Sequence, residues 1–228
     1  MRALPVLLMM GWLGGVGVGP VWGDTPVKGT LVILGDSLAA GYGVEPEQAF
    51  PALLQRRIAA AGLGFEVVNA GVSGDTTAGG LRRVGWLLRR PMEVLVIALG
   101  GNDGLRGLAP AATRSNLVAM IETVRMRQPG VRIVVAGMQM PPNMGEDYTR
   151  TFRDVYPWVA REKHVALIPH LLEGVGGRPE MNLPDLIHPT PEGHERMAEN
   201  VWEVLGPLLE GLRGRGQETV DGSTRTRS

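Results

Sequence analysis

Along the chain, unbroken aliphatic runs alternate with stretches in which apolar residues return every three or four positions. Leu31 to Leu34 is a four-residue aliphatic run containing β-branched residues, Val94 to Leu99 is apolar throughout, and Val131 to Ala136 is apolar except for Arg132. Runs of this kind predict strands buried on both faces, as in a parallel sheet. Phe65 to Val68 and Val165 to Ile168 read as shorter strands. Helical spacing fills the intervals. Ala49 to Ala61 carries Leu53, Leu54, Ile58 and Ala61 on one stripe and stops at Gly62; Thr77 to Arg90 is closed by Pro91. Pro110 to Gln128 turns Leu117, Met120, Ile121 and Val124 inward and is stopped by Pro129-Gly130, and Tyr148 to Lys163 does the same with Phe152, Val155 and Val159.

Thr190-Pro191-Glu192 opens a last helix, with threonine as N-cap, proline at the first helical position and an acid in the positive first turn. That helix carries Met197, Val201, Val204 and Leu205, and Pro207 is expected to kink or end it. Pro141 and Pro142 keep the segment from Met138 to Asn143 out of a helix, while Leu171 to Asp185 reads only as partial helix and loop. Strands alternating with helices predict an α/β fold with right-handed crossovers and a parallel sheet covered on both faces.

The two ends depart from this alternation. Met1-Arg2, the apolar stretch Leu4 to Val18, then Gly19-Pro20-Val21-Trp22-Gly23 before polar Asp24-Thr25, has the layout of a secretory signal peptide, with Asp24 as the mature start. An uncleaved anchor is the competing reading, for which the stretch is short and rich in glycine. Residues 213–228 are polar, rich in glycine, arginine and threonine, and expected to be disordered. One domain, 24–212, remains, with no internal repeat.

Composition narrows the function. The 23 basic and 23 acidic residues balance, so nothing points to nucleic acid or another polyanion as partner. The absence of cysteine excludes disulfides, a thiol nucleophile, thiolate metal sites and a lipoprotein anchor. No cluster of histidine and carboxylate has metal-ligand spacing, so no metal and no cofactor is expected. The mature chain is expected to be a periplasmic or secreted monomer that does not insert in a membrane.

Polar residues gather where the strands run out. Ser37 follows strand one in Gly35-Asp36-Ser37-Leu38, Gly74 follows strand two, Asn102 follows strand three, and Asp185 and His188 precede the last helix. In open α/β sheets the crevice beyond the carboxyl ends of the strands holds the chemistry. Ser37 there is either a turn serine or a nucleophile. Asp185-Leu186-Ile187-His188 is either a surface turn or an acid fixing the tautomer of a base, with Nε2 left to face a serine.

Taken together, Gly35-Asp36-Ser37-Leu38, the Gly74 loop, Gly100-Gly101-Asn102-Asp103 and Asp185-x-x-His188-Pro189 resemble the four blocks of the GDSL or SGNH hydrolase family. The likeness is greatest to its small bacterial branch of thioesterases, lysophospholipases and arylesterases, and runs from about Thr30 to Leu209. The resemblance implies a flavodoxin-like three-layer α/β/α sandwich with a five-stranded parallel sheet. It makes Ser37 the nucleophile, His188 the base, Asp185 its orienting acid, and the N–H groups of Ser37 and Gly74 with the Asn102 amide the oxyanion hole. It also places Leu105, Met140, Pro141 and Ile187 along the acyl pocket, for a substrate that is an acyl ester or thioester.

The remaining polar residues carry blander expectations. Asp36 and Asp103 should bond backbone groups in their tight loops, Ser73 lacks a base, His164 and His170 should be structural or surface groups, and His194 should face solvent. Two other functions stay open: a carbohydrate or small-ester deacetylase of the same family, and a non-catalytic flavodoxin-like binding module.

Overall fold

A computed structural model describes residues 29–222, with side chains through residue 213. The signal-peptide pattern of residues 1–23 and the last six residues of the polar tail lie outside this range. Five strands form one parallel sheet: β1 (Gly29–Gly35), β2 (Phe65–Gly71), β3 (Val94–Ala98), β4 (Arg132–Ala136) and β5 (Ala166–Ile168), in the order β2-β1-β3-β4-β5. The apolar runs are the reason. Leu31, Ile33 and Leu34 of β1 and Val94 to Ile97 of β3 are fully buried, as strands covered on both faces require.

The helices are α1 (Ser37–Ala40), α2 (Phe50–Ala60), α3 (Thr77–Leu87), α4 (Gly101–Leu105), α5 (Pro110–Arg127), α6 (Glu146–Arg153), α7 (Val155–Lys163) and α8 (Pro191–Gly222). The helix α2 packs with α8, and α3 with α5 and α7 with α5, giving the two outer layers. Because β1 is paired with β2 on one side and β3 on the other, successive crossovers leave it in opposite directions, and a crevice opens beyond its carboxyl end. Ser37 stands there.

Several expectations are corrected. The helix expected over Tyr148 to Lys163 is two helices meeting at Asp154, because Pro157 has no N–H for the carbonyl of Arg153. The Met138 to Asn143 segment is not free of helix, since Pro142–Met144 is a short 3-10 turn that begins on a proline. Pro207 does not end α8. Leu205 and Leu209, both fully buried, anchor the helix on either side of it and offset the lost hydrogen bond. The polar stretch from residue 213 overlaps the end of α8.

His194 does not face solvent. It is fully buried, its Nδ1 accepts the N–H of Phe50 at 3.3 Å, and its Nε2 has no partner among the described residues. Burial, and secondarily the charge of His188, lowers its pKa from 6.5 to about 4. In the unfolded chain the imidazole takes up a proton near its ordinary pKa, whereas the native one stays neutral. Its contribution to stability is therefore complete above pH 6.5 and falls away toward pH 4, by about 3 kcal/mol.

Asp36 works in the opposite sense. Burial raises its carboxyl from 3.8 to about 6, so its contribution is complete below pH 3.8 and lost as pH rises through 6. The two nearly offset each other in the native protein. His194→Asn retains an acceptor for Phe50 and removes one of the two slopes. Measured by urea unfolding, the stability difference between variant and native protein should move by about 3 kcal/mol in the variant's favour between pH 7 and pH 4. A difference that stays constant would reject desolvation as the cause.

Candidate active site

Each side chain of the site is set by a short-range reason. Asp36 caps α1, its Oδ1 accepting the N–H of Leu38 at 3.0 Å, which turns the chain sharply out of β1 and presents Ser37 at the first helical position. The next loop folds back onto the same residue, since Gly41 and Tyr42 both donate their N–H to the carbonyl of Ser37. On the other side of the crevice, Asp185 closes a turn on itself. Its Oδ1 accepts the N–H of Ile187 at 2.9 Å and of His188 at 3.0 Å, and Leu186 between them takes a left-handed φ of 58°.

These two turns meet. His188 Nε2 lies 3.0 Å from Ser37 Oγ, and His188 Nδ1 lies 2.6 Å from Asp185 Oδ2. The Asp185 carboxyl is held down at about 2, first by the backbone N–H of His188, then by its ring and by the N–H of Ile187. It stays ionised at any pH above about 4. Tyr42 packs against the outer face of the imidazole, ring centroids 4.4 Å apart and planes tilted by 41°. Such an arrangement can move a proton from a hydroxyl to Nε2 while the carboxylate stabilises the resulting imidazolium.

The loops after β2 and β3 approach the Asp36 turn. Gly74, in the loop after β2, takes a φ of 78°, which a side chain would strain. Among the described residues, neither the Ser37 nor the Gly74 N–H donates to another protein group. The Asn102 amide donates to the carbonyl of Asp75 at 3.0 Å and, at a loose 3.4 Å, to Asp36 Oδ2. Arg106 reaches from the end of α4 to the carbonyl of Gly74 at 2.9 Å, so the loops after β2 and β3 are joined.

This chemistry has relatives. The sequence model of the GDSL-like Lipase/Acylhydrolase family matches residues 33–196. The chain belongs to that family. It is 47% identical over 181 residues to the Esterase TesA of Pseudomonas aeruginosa, covering 79% of this chain and 89% of that one. It is 38% identical over 182 residues to the Thioesterase 1/protease 1/lysophospholipase L1 of Escherichia coli K12, covering 79% and 85%. A crystal structure of TesA superposes with a TM-score of 0.76 at 46% identity, over 78% of this chain and 99% of that one. As a member of the family, the protein is an ester-hydrolysing enzyme.

Of the site residues read from sequence, Ser37, His188 and Asp185 are brought together, Asn102 reaches Asp36 beside Ser37, and Gly74 adjoins Asp75, whose carbonyl accepts the Asn102 amide. The four residues expected along the acyl pocket differ in exposure. Leu105 and Ile187 are exposed, 41% and 43%. Met140 is half-buried, packed close to Gly104, and Pro141 is exposed at the start of the 3-10 turn. A depression between α2 and α8, lined by Leu53, Arg56, Arg57, Glu195 and Ala198, contains none of them.

The nearby acids divide. Asp36 bonds backbone in its own turn, as expected. Asp103 instead reaches the start of α3, its Oδ2 accepting the Thr77 N–H at 2.8 Å and its Oδ1 the Thr77 hydroxyl. Ser73 is exposed on the loop after β2. His170 pairs with Glu173 at 3.2 Å, and His164 ends α7 in a left-handed turn.

Three features near the site carried no expectation. Tyr42 covers the imidazole, although it directly follows the Gly41 turn and could have been placed beside Ser37. Tyr148 donates its hydroxyl to the carbonyls of Gly104 and Leu108, at 3.1 and 2.8 Å, and so pins the rim loop. Arg83 on α3 gives no local signal, because its partners lie on three other segments.

Proposed function

We propose that this hydrolase cleaves acyl esters and thioesters through an acyl-serine intermediate, with lipid esters such as lysophospholipids as the substrates that suit its place in the cell. The relay from Asp185 through His188 to Ser37, with contacts of 2.6 and 3.0 Å, carries the reading. Ser37 Oγ attacks the carbonyl carbon while its proton passes to His188 Nε2. The oxyanion so formed is held by the N–H groups of Ser37 and Gly74 and by the Asn102 amide, which exchanges its loose contact to Asp36 for it. Collapse expels the alcohol or thiol, which takes the proton back from His188. Water then adds to the acyl-serine, giving its proton to the same nitrogen, and the carboxylic acid leaves as Ser37 is restored. No cofactor is needed.

Two observations support lipid esters as substrates. Tyr42, Leu105, Leu108, Leu186 and Ile187, all more than 40% exposed, lie on the loops that carry the site, where an acyl chain would cover them. The N-terminal signal-peptide pattern favours a periplasmic or secreted enzyme, away from cytoplasmic CoA esters, so that thioester cleavage is a capacity of the site. Among the described residues no helix is long and apolar enough to cross a membrane, in keeping with a mature chain that meets lipid from the aqueous side.

Hydrolysis of p-nitrophenyl esters from acetyl to palmitoyl, beside an acyl-CoA and a lysophospholipid, tests this. Specificity should rise from acetyl to medium or long chains, and the lysophospholipid should be cleaved. Activity confined to acetyl esters would reassign the protein as a small-ester or carbohydrate deacetylase.

A further inference from the structure

One guanidinium that the proton relay does not use ties together the loops that border Ser37. Arg83 lies on α3, half-buried, with its side chain 24% exposed and that of its partner Asp75 11%. Its Nε donates to Asp75 Oδ2 at 2.7 Å, its Nη1 to the carbonyl of Ala70 at 2.7 Å, and its Nη2 to the carbonyl of Gly35 at 2.8 Å. Gly35 is the last residue of β1, two before Ser37. Ala70 is the penultimate residue of β2, and Asp75 adjoins Gly74. The backbone carbonyl of Asp75 in turn accepts the Asn102 amide at 3.0 Å.

We propose that Arg83 is a positioning residue for the oxyanion hole, setting the Ser37 N–H, the Gly74 N–H and the Asn102 amide in register with one another. Each of the three donors follows a different strand, so the sheet ladder alone does not fix their spacing. The ladder already pairs Leu34 with Ala70 and Gly35 with Gly71, and the bonds of Arg83 to those strand ends reinforce it. What Arg83 adds is the tie from that rigid edge to Asp75, and through Asp75 to both Gly74 and Asn102. A planar fork with three nitrogens serves three acceptors in fixed directions, which an ammonium on a flexible stem does not reproduce. A displacement of donors by an ångström or less is enough to cost a large factor in rate.

The proposal rests on the oxyanion hole assigned above, and the test separates the two. Arg83→Lys, Asp75→Asn, Asn102→Ala and the Arg83→Lys/Asn102→Ala double variant are assayed on a short-chain p-nitrophenyl ester, with active sites counted by exhaustive fluorophosphonate labelling. Per labelled site, Arg83→Lys should lower kcat by about 10- to 100-fold, with KM and the pH midpoint of kcat/KM near native values. The double variant should fall little below Asn102→Ala alone, because the two act on the same donors.

Asp75→Asn, which keeps the loop and removes only the ion pair, should show the same pattern if Arg83→Lys does not fold. Losses that multiply in the double variant, a shifted pH midpoint, or a native kcat per labelled site with only a lowered unfolding temperature would each overturn the role of Arg83. A native rate in Asn102→Ala would remove the oxyanion assignment, and this proposal with it.

Discussion

Ser37→Ala is expected to lower kcat by about 10^6-fold, leaving only what binding and the oxyanion donors achieve with water. The loss is this large because the hydroxyl is where the relay ends: without it His188 Nε2, now 3.0 Å from Ser37 Oγ, has no nucleophile to deprotonate. The rest of the site should stand unchanged, since Asp36 caps α1 through Leu38 and the Asp185 turn is closed by its own carboxylate. The unfolding midpoint of the variant should accordingly match that of the native protein. The measurement is turnover of a medium-chain p-nitrophenyl ester, with Ser73→Ala beside it. Activity that survives Ser37→Ala and is lost in Ser73→Ala would move the nucleophile to the loop after β2.

Asp185→Asn should cost about 10^4-fold in kcat for a different reason. The amide oxygen can still accept the N–H groups of Ile187 and His188, so the turn survives. The amide NH2 then faces His188 Nδ1 where a carboxylate oxygen lies at 2.6 Å. It can only donate, so Nδ1 becomes the acceptor and Nε2 carries the hydrogen, pointing it at a serine that needs a base. KM should change little, because nothing that touches the acyl group has moved. Because the carboxyl is held at about 2, native activity should not fall through titration of Asp185 at any pH above about 4. A variant within tenfold of native would mean that His188 needs no orienting acid.

Much of this could be read before any coordinates, and the reasons differ by residue. The strands were legible because β1 and β3 are buried on both faces, which leaves a run of aliphatics that no other element explains. Ser37, Asp185 and His188 were legible because each stands in a turn whose chemistry is local: an aspartate cap before the serine, an aspartate three residues before the histidine. The family blocks then joined turns that lie 151 positions apart in the chain.

What was missed depends on contacts between distant segments. His194 is an exception: it stands three residues before Met197 and seven before Val201, on the stripe that they define, and the polarity of its ring masked an inward placement that its bond to Phe50 reveals. Arg83 has three partners on three segments, and nothing in Gly80-Leu81-Arg82-Arg83 distinguishes it from the exposed Arg82. The break at Asp154 was different: Pro157 was in plain view, and the spacing of Phe152, Val155 and Val159 masked it.

The turn at Asp185 has one more implication. Acid and base sit on the same four-residue segment, and the carboxylate that orients the ring also accepts the two N–H groups that shape the segment around it. The pair is thus prefabricated: it travels as a cartridge, docked against Ser37 through a single contact from ring to hydroxyl. Lengthening that one contact would leave the carboxylate and imidazole in mutual alignment.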